Sequence, residues 1–145
     1  MKINSTLLSP LALNKLKIIL GKERIILASY LFGSKINGLG KKDSDLDLAV
    51  VVSDRKKYQE LDLLPMISKI SFPADVDLSV VDLSSSPILL FQIIKNGICL
   101  YEKSKQERFN FEAQALRVYY DTQYMRDIYH YYLDKSIKED TYGRR

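Results

Sequence analysis

Eight residues constrain this chain most tightly: Asp45-Leu46-Asp47-Leu48-Ala49-Val50-Val51-Val52. The segment has the composition of a buried strand, except for two carboxylates at its start. Aspartate is depleted in strands and costly to bury unpaired. Strand side chains alternate between faces, so Asp45 and Asp47 share one face while Leu46 and Leu48 point into a core on the other. Like charges side by side repel unless a cation sits between them. Hard divalent cations prefer carboxylate oxygens.

The flanking sequence alternates helices with strands. Ser9-Pro10 has the form of an N-cap followed by proline in the first turn, and Leu11, Leu13, Leu16, Ile19 and Leu20 follow at near-helical spacing up to Gly21. Arg24 to Phe32 is an apolar strand. Residues 33–43, with Gly33, Gly38 and Gly40, predict a turn with at most a short helix. A helix capped by Ser53 or Asp54 and interrupted by Pro65 is expected next, then a third strand over Ala74 to Leu83. Ser84 to Gly97 predicts a serine-capped helix stopped at Asn96-Gly97, and Ile98 to Glu102 a short fourth strand. Ser104 to Lys138 contains no Pro or Gly, and predicts one long helix or two in tandem. The last residues, from Glu139, are expected to fray. The fold class is α/β (mixed α+β), a small mixed sheet with flanking helices.

A chain of 145 residues fits one domain, 1–145, with 104–138 as a C-terminal helical extension. Lys and Arg number 22 against 18 Asp and Glu, a net charge of +4 that mildly favours anionic partners. The single cysteine, Cys99, excludes a disulfide framework or a Cys-based metal site. No apolar run approaches the roughly 18 residues of a membrane span, and the start lacks a signal-peptide pattern, so a cytoplasmic protein is expected. No Lys/Arg stripe with interleaved stacking aromatics marks a nucleic-acid channel.

Gly33-Ser34 follows a predicted strand, where free backbone N–H groups and a serine hydroxyl are suited to phosphate oxygens. Together with Asp45 and Asp47 it forms G-S-x10-D-x-D. This pattern resembles the signature of the DNA polymerase β-like nucleotidyltransferase superfamily. The fuller segment Phe32 to Val52 resembles its minimal nucleotidyltransferases, the MNT family, and so does Val76 to Glu102 with its third carboxylate, helix and terminal strand. The family often carries arginine where this chain has Lys35 and Asn37.

The resemblance implies that Gly33, Ser34, Lys35 and Ser44 hold ATP and that Asp45 and Asp47 bind Mg²⁺. Three aspartates lie on or near the third strand: Asp75, Asp77 and Asp82. By parity Asp75 and Asp77 share a face and Asp82 takes the other. The family's apolar VDL-like strand selects Asp77 as the third metal ligand and the group that accepts a proton from the acceptor hydroxyl, with Asp75 in reserve. The MNT resemblance further implies an antitoxin that binds a HEPN ribonuclease toxin as a hetero-oligomer and transfers AMP from ATP to a toxin tyrosine. The alternatives are a small-molecule nucleotidyltransferase of the antibiotic-modifying kind and a catalytically inactive binding module.

Six tyrosines, Tyr119, Tyr120, Tyr124, Tyr129, Tyr131 and Tyr132, crowd the C-terminal helical region. They cannot all face one stripe, so some must be exposed for a partner. A ribonuclease role for this chain itself is disfavoured, because Arg126 and His130 are separated by only three residues where the HEPN motif has four to six. His130 is expected on a helix surface and Cys99 in the core.

Overall fold

The computed structural model describes residues 8–33 and 45–143. The elements are α1 (Pro10–Gly21), β1 (Ile26–Phe32), β2 (Leu46–Val52), α2 (Glu60–Ile67), β3 (Val76–Val81), α3 (Pro87–Asn96), β4 (Ile98–Glu102), α4 (Lys105–Asp121) and α5 (Gln123–Gly143). The strands form one mixed sheet in the order β3-β2-β1-β4. β1 pairs antiparallel with both β2 and β4, and β2 pairs parallel with β3.

Each face of the sheet is sealed by two helices. Leu16 and Leu20 of α1 and Leu63 and Ile67 of α2 pack on Leu46, Leu48, Val50 and Val80. On the other face, Leu90 and Ile93 of α3 and Phe111 and Ala115 of α4 cover Ala28, Tyr30, Ala49, Val51 and Val81. The parity of β2 is as the sequence predicts: Leu46 and Leu48 are buried, while Asp47 lies on the face of α3 and α4.

Local signals place most boundaries. Ser9 caps α1 by accepting from the Ala12 N–H at 3.1 Å, and Ser104 caps α4 by accepting from the Glu107 N–H at 3.1 Å. Helix α2 departs from expectation. It begins at Glu60, not near Ser53 or Asp54, because residues 54–57 are drawn into turns: the Arg55 N–H donates to the Asp82 carboxylate at 2.8 Å and the Lys56 N–H to Asp54 Oδ1 at 2.9 Å. Asp62 then accepts from the Gln59 N–H at 2.8 Å and fixes the start. Pro65 does not break α2. It lies in the last turn, two residues from the end, where one missing N–H is tolerated. Helix α3 starts at Pro87, and its N-cap, Ser86, makes no side-chain hydrogen bond to the first turn; Ser84 donates to the Asp82 carboxylate and Ser85 Oγ accepts from the Asp82 N–H.

The C-terminal region resolves as two helices. Thr122 separates them, and its hydroxyl donates to the Val118 carbonyl at 2.7 Å. Arg126, one turn into α5, reaches back across the break. Its guanidinium donates to Thr122 Oγ1 at 2.6 Å and to the Tyr119 carbonyl, and lies 4.0 Å from the Tyr119 ring centroid. The other face of that ring stacks on Phe91 of α3 at 3.9 Å. The backbone of α5 stays helical to Gly143, past the point where fraying was expected. No helix among the described residues is long and apolar enough to cross a membrane.

One partly buried polar network ties α4 to the sheet. The Tyr30 hydroxyl, on a side chain only 2% exposed, donates to Glu112 Oε1 at 2.6 Å. Arg108 pairs with Glu112 at 3.4 Å and with Glu102 of β4 at 3.0 Å. Burial, then the hydrogen bond to Glu112, push the Tyr30 hydroxyl far above its ordinary pKa, so it remains a donor at any physiological pH. Tyr30→Phe should cost about 1.5–3 kcal/mol of unfolding free energy, the worth of a hydrogen bond to a charged group. Urea denaturation measures this, and a loss below about 0.5 kcal/mol would place α4's anchorage elsewhere.

Candidate functional site

One end of the sheet remains polar, and strand pairing decides which residues meet there. Across the parallel β2–β3 ladder, Asp47 is registered against Asp77. Across the antiparallel β1–β2 ladder, Asp47 is registered against Phe32, the residue before Gly33. Gly33 has a φ of 94°, a left-handed conformation that L side chains rarely adopt. A Cβ built there would overlap the Asp47 carboxylate. The glycine therefore lets the strand end press directly against an acidic side chain.

The other aspartates are distributed around this pair. Asp45 is exposed and immediately precedes β2. Asp75 is exposed before β3, and its carbonyl accepts from the Leu46 N–H at 2.8 Å, so its backbone helps hold the two strands. Asp82 follows the opposite end of β3. It accepts from the backbone N–H groups of Arg55 and Ser84 and from the Ser84 hydroxyl. Burial pushes its pKa up, but those hydrogen bonds and the Arg55 charge outweigh burial and hold it below the usual carboxylate range. Asp82 organises a loop and is not part of the polar end. Ser34, Lys35 and Ser44, expected to hold phosphate, lie outside the described residues, as does most of the turn 33–43.

Asp47 is electrostatically unrelieved. Its pKa is raised, first by burial, then by the charges of Asp77 and Asp45, and last by a hydrogen bond with Asp77. Each of these influences disfavours the ionised form. Among the described residues no three His, Cys, Asp or Glu side chains form a ready-made metal cage. The pair nevertheless fits a hard divalent cation. Its donors are all carboxylate oxygens, and Mg²⁺ is usually bound by one or two carboxylates with substrate phosphates and water completing the shell. A cation would remove the repulsion that Asp47 carries.

A model of the family described as polymerase beta, nucleotidyltransferase, matches residues 14–106, which span α1 to the start of α4 and include Gly33, Asp45, Asp47 and Asp77. The chain belongs to that nucleotidyltransferase family. No match is found among curated proteins. Solved structures extend the likeness beyond the matched segment. A chain of a toxin–antitoxin structure with AMP-PNP is 26% identical, with a TM-score of 0.58, covering 86% of this nucleotidyltransferase and 98% of that chain. The toxin–antitoxin MntA–HepT gives 25% identity and a TM-score of 0.60 over 88% and 97% of the two chains. A structure of a tri-AMPylated Shewanella oneidensis HEPN toxin with its MNT antitoxin shares the fold at 22% identity and a TM-score of 0.56, over 88% and 97%.

The contact between Gly33 and the Asp47 carboxylate escapes a reading of spacing alone, because it depends on strand register. Beyond the sheet, α5 presents exposed tyrosines, as the sequence predicts. Tyr119 is packed on Phe91, whereas Tyr124, Tyr129, Tyr131 and Tyr132 are each more than 60% exposed. His130 is exposed, as expected, and contacts the Tyr129 ring edge. Cys99 is only half-buried; burial raises its thiol pKa.

The raised pKa of Asp47 fixes the sign of a pH effect. A carboxyl whose pKa is higher folded than unfolded gives stability that is full below the unfolded value and lost as pH rises through the folded one. Asp47→Asn should therefore raise the Tm of the metal-free protein at pH 7, with a gain that vanishes near pH 4, the ordinary carboxyl range. Mg²⁺ should raise the Tm of the wild type and leave the Asp45→Asn/Asp47→Asn variant unmoved. Differential scanning calorimetry in EDTA and in MgCl₂ checks both. Gly33→Ala should cost about 1–3 kcal/mol through its positive φ and its collision with Asp47, read by the same melts.

Proposed function

We propose that this nucleotidyltransferase is a cytoplasmic antitoxin enzyme that uses Mg²⁺ and ATP to place AMP on a tyrosine of a HEPN-type ribonuclease partner, silencing it. The registered pair Asp47 and Asp77 beside Gly33 carries this reading, because it sets two carboxylates at the open end of a nucleotidyltransferase sheet. The likeness to a toxin–antitoxin chain crystallised with AMP-PNP supports the nucleotide, and the likeness to MntA–HepT supports the partner. The AMPylated HEPN toxin found with the Shewanella oneidensis MNT antitoxin is the reaction extended here to this chain.

In this mechanism Gly33 and the residues after it, Ser34 and Lys35 with Ser44 nearby, hold the ATP phosphates through backbone N–H groups and side-chain donors. Asp45, Asp47 and Asp77 would hold the divalent cation, which when bound would neutralise charge developing on the transferring phosphate. The acceptor oxygen attacks the α-phosphorus. One P–O bond forms, the bond to the bridging oxygen breaks, and pyrophosphate leaves. A tyrosine hydroxyl has a pKa of about 10 and needs a base to attack at neutral pH. Asp77 receives that proton. It is exposed while Asp47 is partly covered, so an incoming hydroxyl reaches Asp77 first. The tyrosines of α5 supply a protein-docking surface with large apolar faces and polar tips.

Co-expression with a HEPN partner followed by intact-mass analysis tests the reading. Wild type should add about 329 Da per AMP unit, fixed by nucleotide composition, and Asp77→Asn should add none while still co-purifying with the partner. Silencing should persist after the antitoxin is removed. Neutralisation with no added mass would make the chain a binding module. Full modification by Asp77→Asn would remove its role as the proton acceptor.

A further inference from the structure

β3 lies at one margin of the sheet, so among the described residues one side of its backbone has no strand beside it. The pairing with β2 fixes which groups face outward. The Asp75 carbonyl accepts from the Leu46 N–H, and backbone direction alternates along a strand, so Asp75, Asp77 and Ser79 turn their backbone groups toward β2. Val76, Leu78 and Val80 turn theirs outward. The outward N–H of Val80 is taken: it donates to Glu60 Oε1 at 3.0 Å, and Glu60 pairs with Arg55 at 3.5 Å. The outward N–H groups of Val76 and Leu78 have no partner among the described residues. The open length of edge is therefore the stretch that flanks Asp77.

This edge is closed to a second copy of the chain. Two-fold antiparallel pairing sets outward residues opposite outward residues, so its centre must fall on a residue of the strand. A centre at Asp75 or Asp77 sets an aspartate against its own copy, and a centre at Val76 sets Asp75 against Asp77. Like charges directly opposite one another destabilise a ladder. A centre at Leu78 or beyond draws on the Val80 N–H, which Glu60 holds. The same charges favour a strand that brings a cation opposite Asp75. On the other face, toward α2, a cavity of about 350 Å³ opens beside Leu64, Ile70, Phe72 and Val76, and accepts an apolar side chain from the position opposite Val76.

We propose that the open edge of β3 docks an extended, basic segment of the acceptor protein by strand addition. Backbone hydrogen bonds give such docking its affinity, and alternate side chains give it specificity. Directly opposite residues share a face, with Cβ atoms about 4.5–5.5 Å apart. The residue opposite Asp77 is therefore presented on the face that carries Asp47 and Asp77. In an antiparallel segment the acceptor tyrosine takes that position, an apolar residue follows it toward the cavity, and a lysine or arginine comes next, opposite Asp75. The identity of the tyrosine rests on the transfer reaction proposed above; the strand addition does not.

Titration of the isotope-labelled full chain in EDTA with the peptide Thr-Val-Tyr-Val-Lys-Thr, followed by NMR, tests it. The peptide should shift the amides of Val76 and Leu78 and saturate below about 10 mM. N-methylation of both peptide valines, whose N–H groups bond to the edge, should weaken binding at least tenfold. N-methylation of the tyrosine, whose N–H points away, should change it less than threefold. Glutamate in place of the peptide lysine should weaken binding at least threefold at low salt, and Asp75→Lys in the chain should reverse that order. Only the backbone of Asp75 is used in the fold, and the peptide series on the wild-type chain stands even where that variant folds poorly. Shifts confined to other elements, equal losses from methylation at tyrosine and valine, the same peptide order in Asp75→Lys, or no saturation would each overturn the proposal. Shifts at Leu78 that follow protein concentration alone would give the edge to a second copy and overturn it as well. A peptide that docks but gains no AMP once Mg²⁺ and ATP are added would remove the transfer reaction and leave the docking in place.

Discussion

The parallel pairing of β2 with β3 forces two acidic residues together, and the rest of the site is arranged around that fact. Neither carboxylate sets the register. Leu46, Leu48 and Val50 of β2 lie beside Val76, Leu78 and Val80 of β3 on the face covered by α1 and α2. A one-residue slip would turn that whole set toward the other face. Burying each such side chain contributes about 1.5–3 kcal/mol. Two like charges 4 Å apart cost about 1 kcal/mol in water and about 4 at the dielectric of a protein surface. The summed apolar contacts exceed the repulsion, so the core holds Asp47 against Asp77 in a state that a cation would relieve.

Along β2 the environment changes in one direction. At its start Asp45 is exposed and Asp47 partly covered; from Leu48 onward every residue is buried. The face that carries Asp47 is closed farther along by α3 and α4, and the Tyr30–Glu112–Arg108–Glu102 network fixes α4 there. A rigid, sealed floor beneath an open acidic end is the arrangement a site needs if its groups are to be held without reorganising.

Much of this was legible in the residues. Alternation placed Leu46 and Leu48 in the core, and punctuation by Ser9-Pro10, Asn96-Gly97 and Ser104 located three helices. What was not legible depended on contacts between distant segments. The start of α2 moved because the carboxylate of Asp82, 27 residues away from Arg55, takes its N–H. Parity along β3 separated Asp82 from Asp75 and Asp77, but only the strand register singles out Asp77 as the residue facing Asp47. Whether residues 104–138 made one helix or two turned on Thr122 and Arg126, whose effect comes from hydrogen bonds that spacing does not announce. The steric role of Gly33 was visible only as a turn signal, since its neighbour in space is an aspartate 14 positions away in sequence.

The joint at Thr122 has a bearing on how such a protein diversifies. Helix α5 is held through the end of α4, by a guanidinium that donates to the Tyr119 carbonyl and the Thr122 hydroxyl and lies on the Tyr119 ring, rather than by burial in either core cluster. Its outward side chains carry almost no packing duty. Substitutions beyond Arg126 can therefore accumulate at little cost to folding, while the sheet and its carboxylates stay as they are. The arm is free to vary, and the carboxylate-bearing end of the sheet is free to stand still.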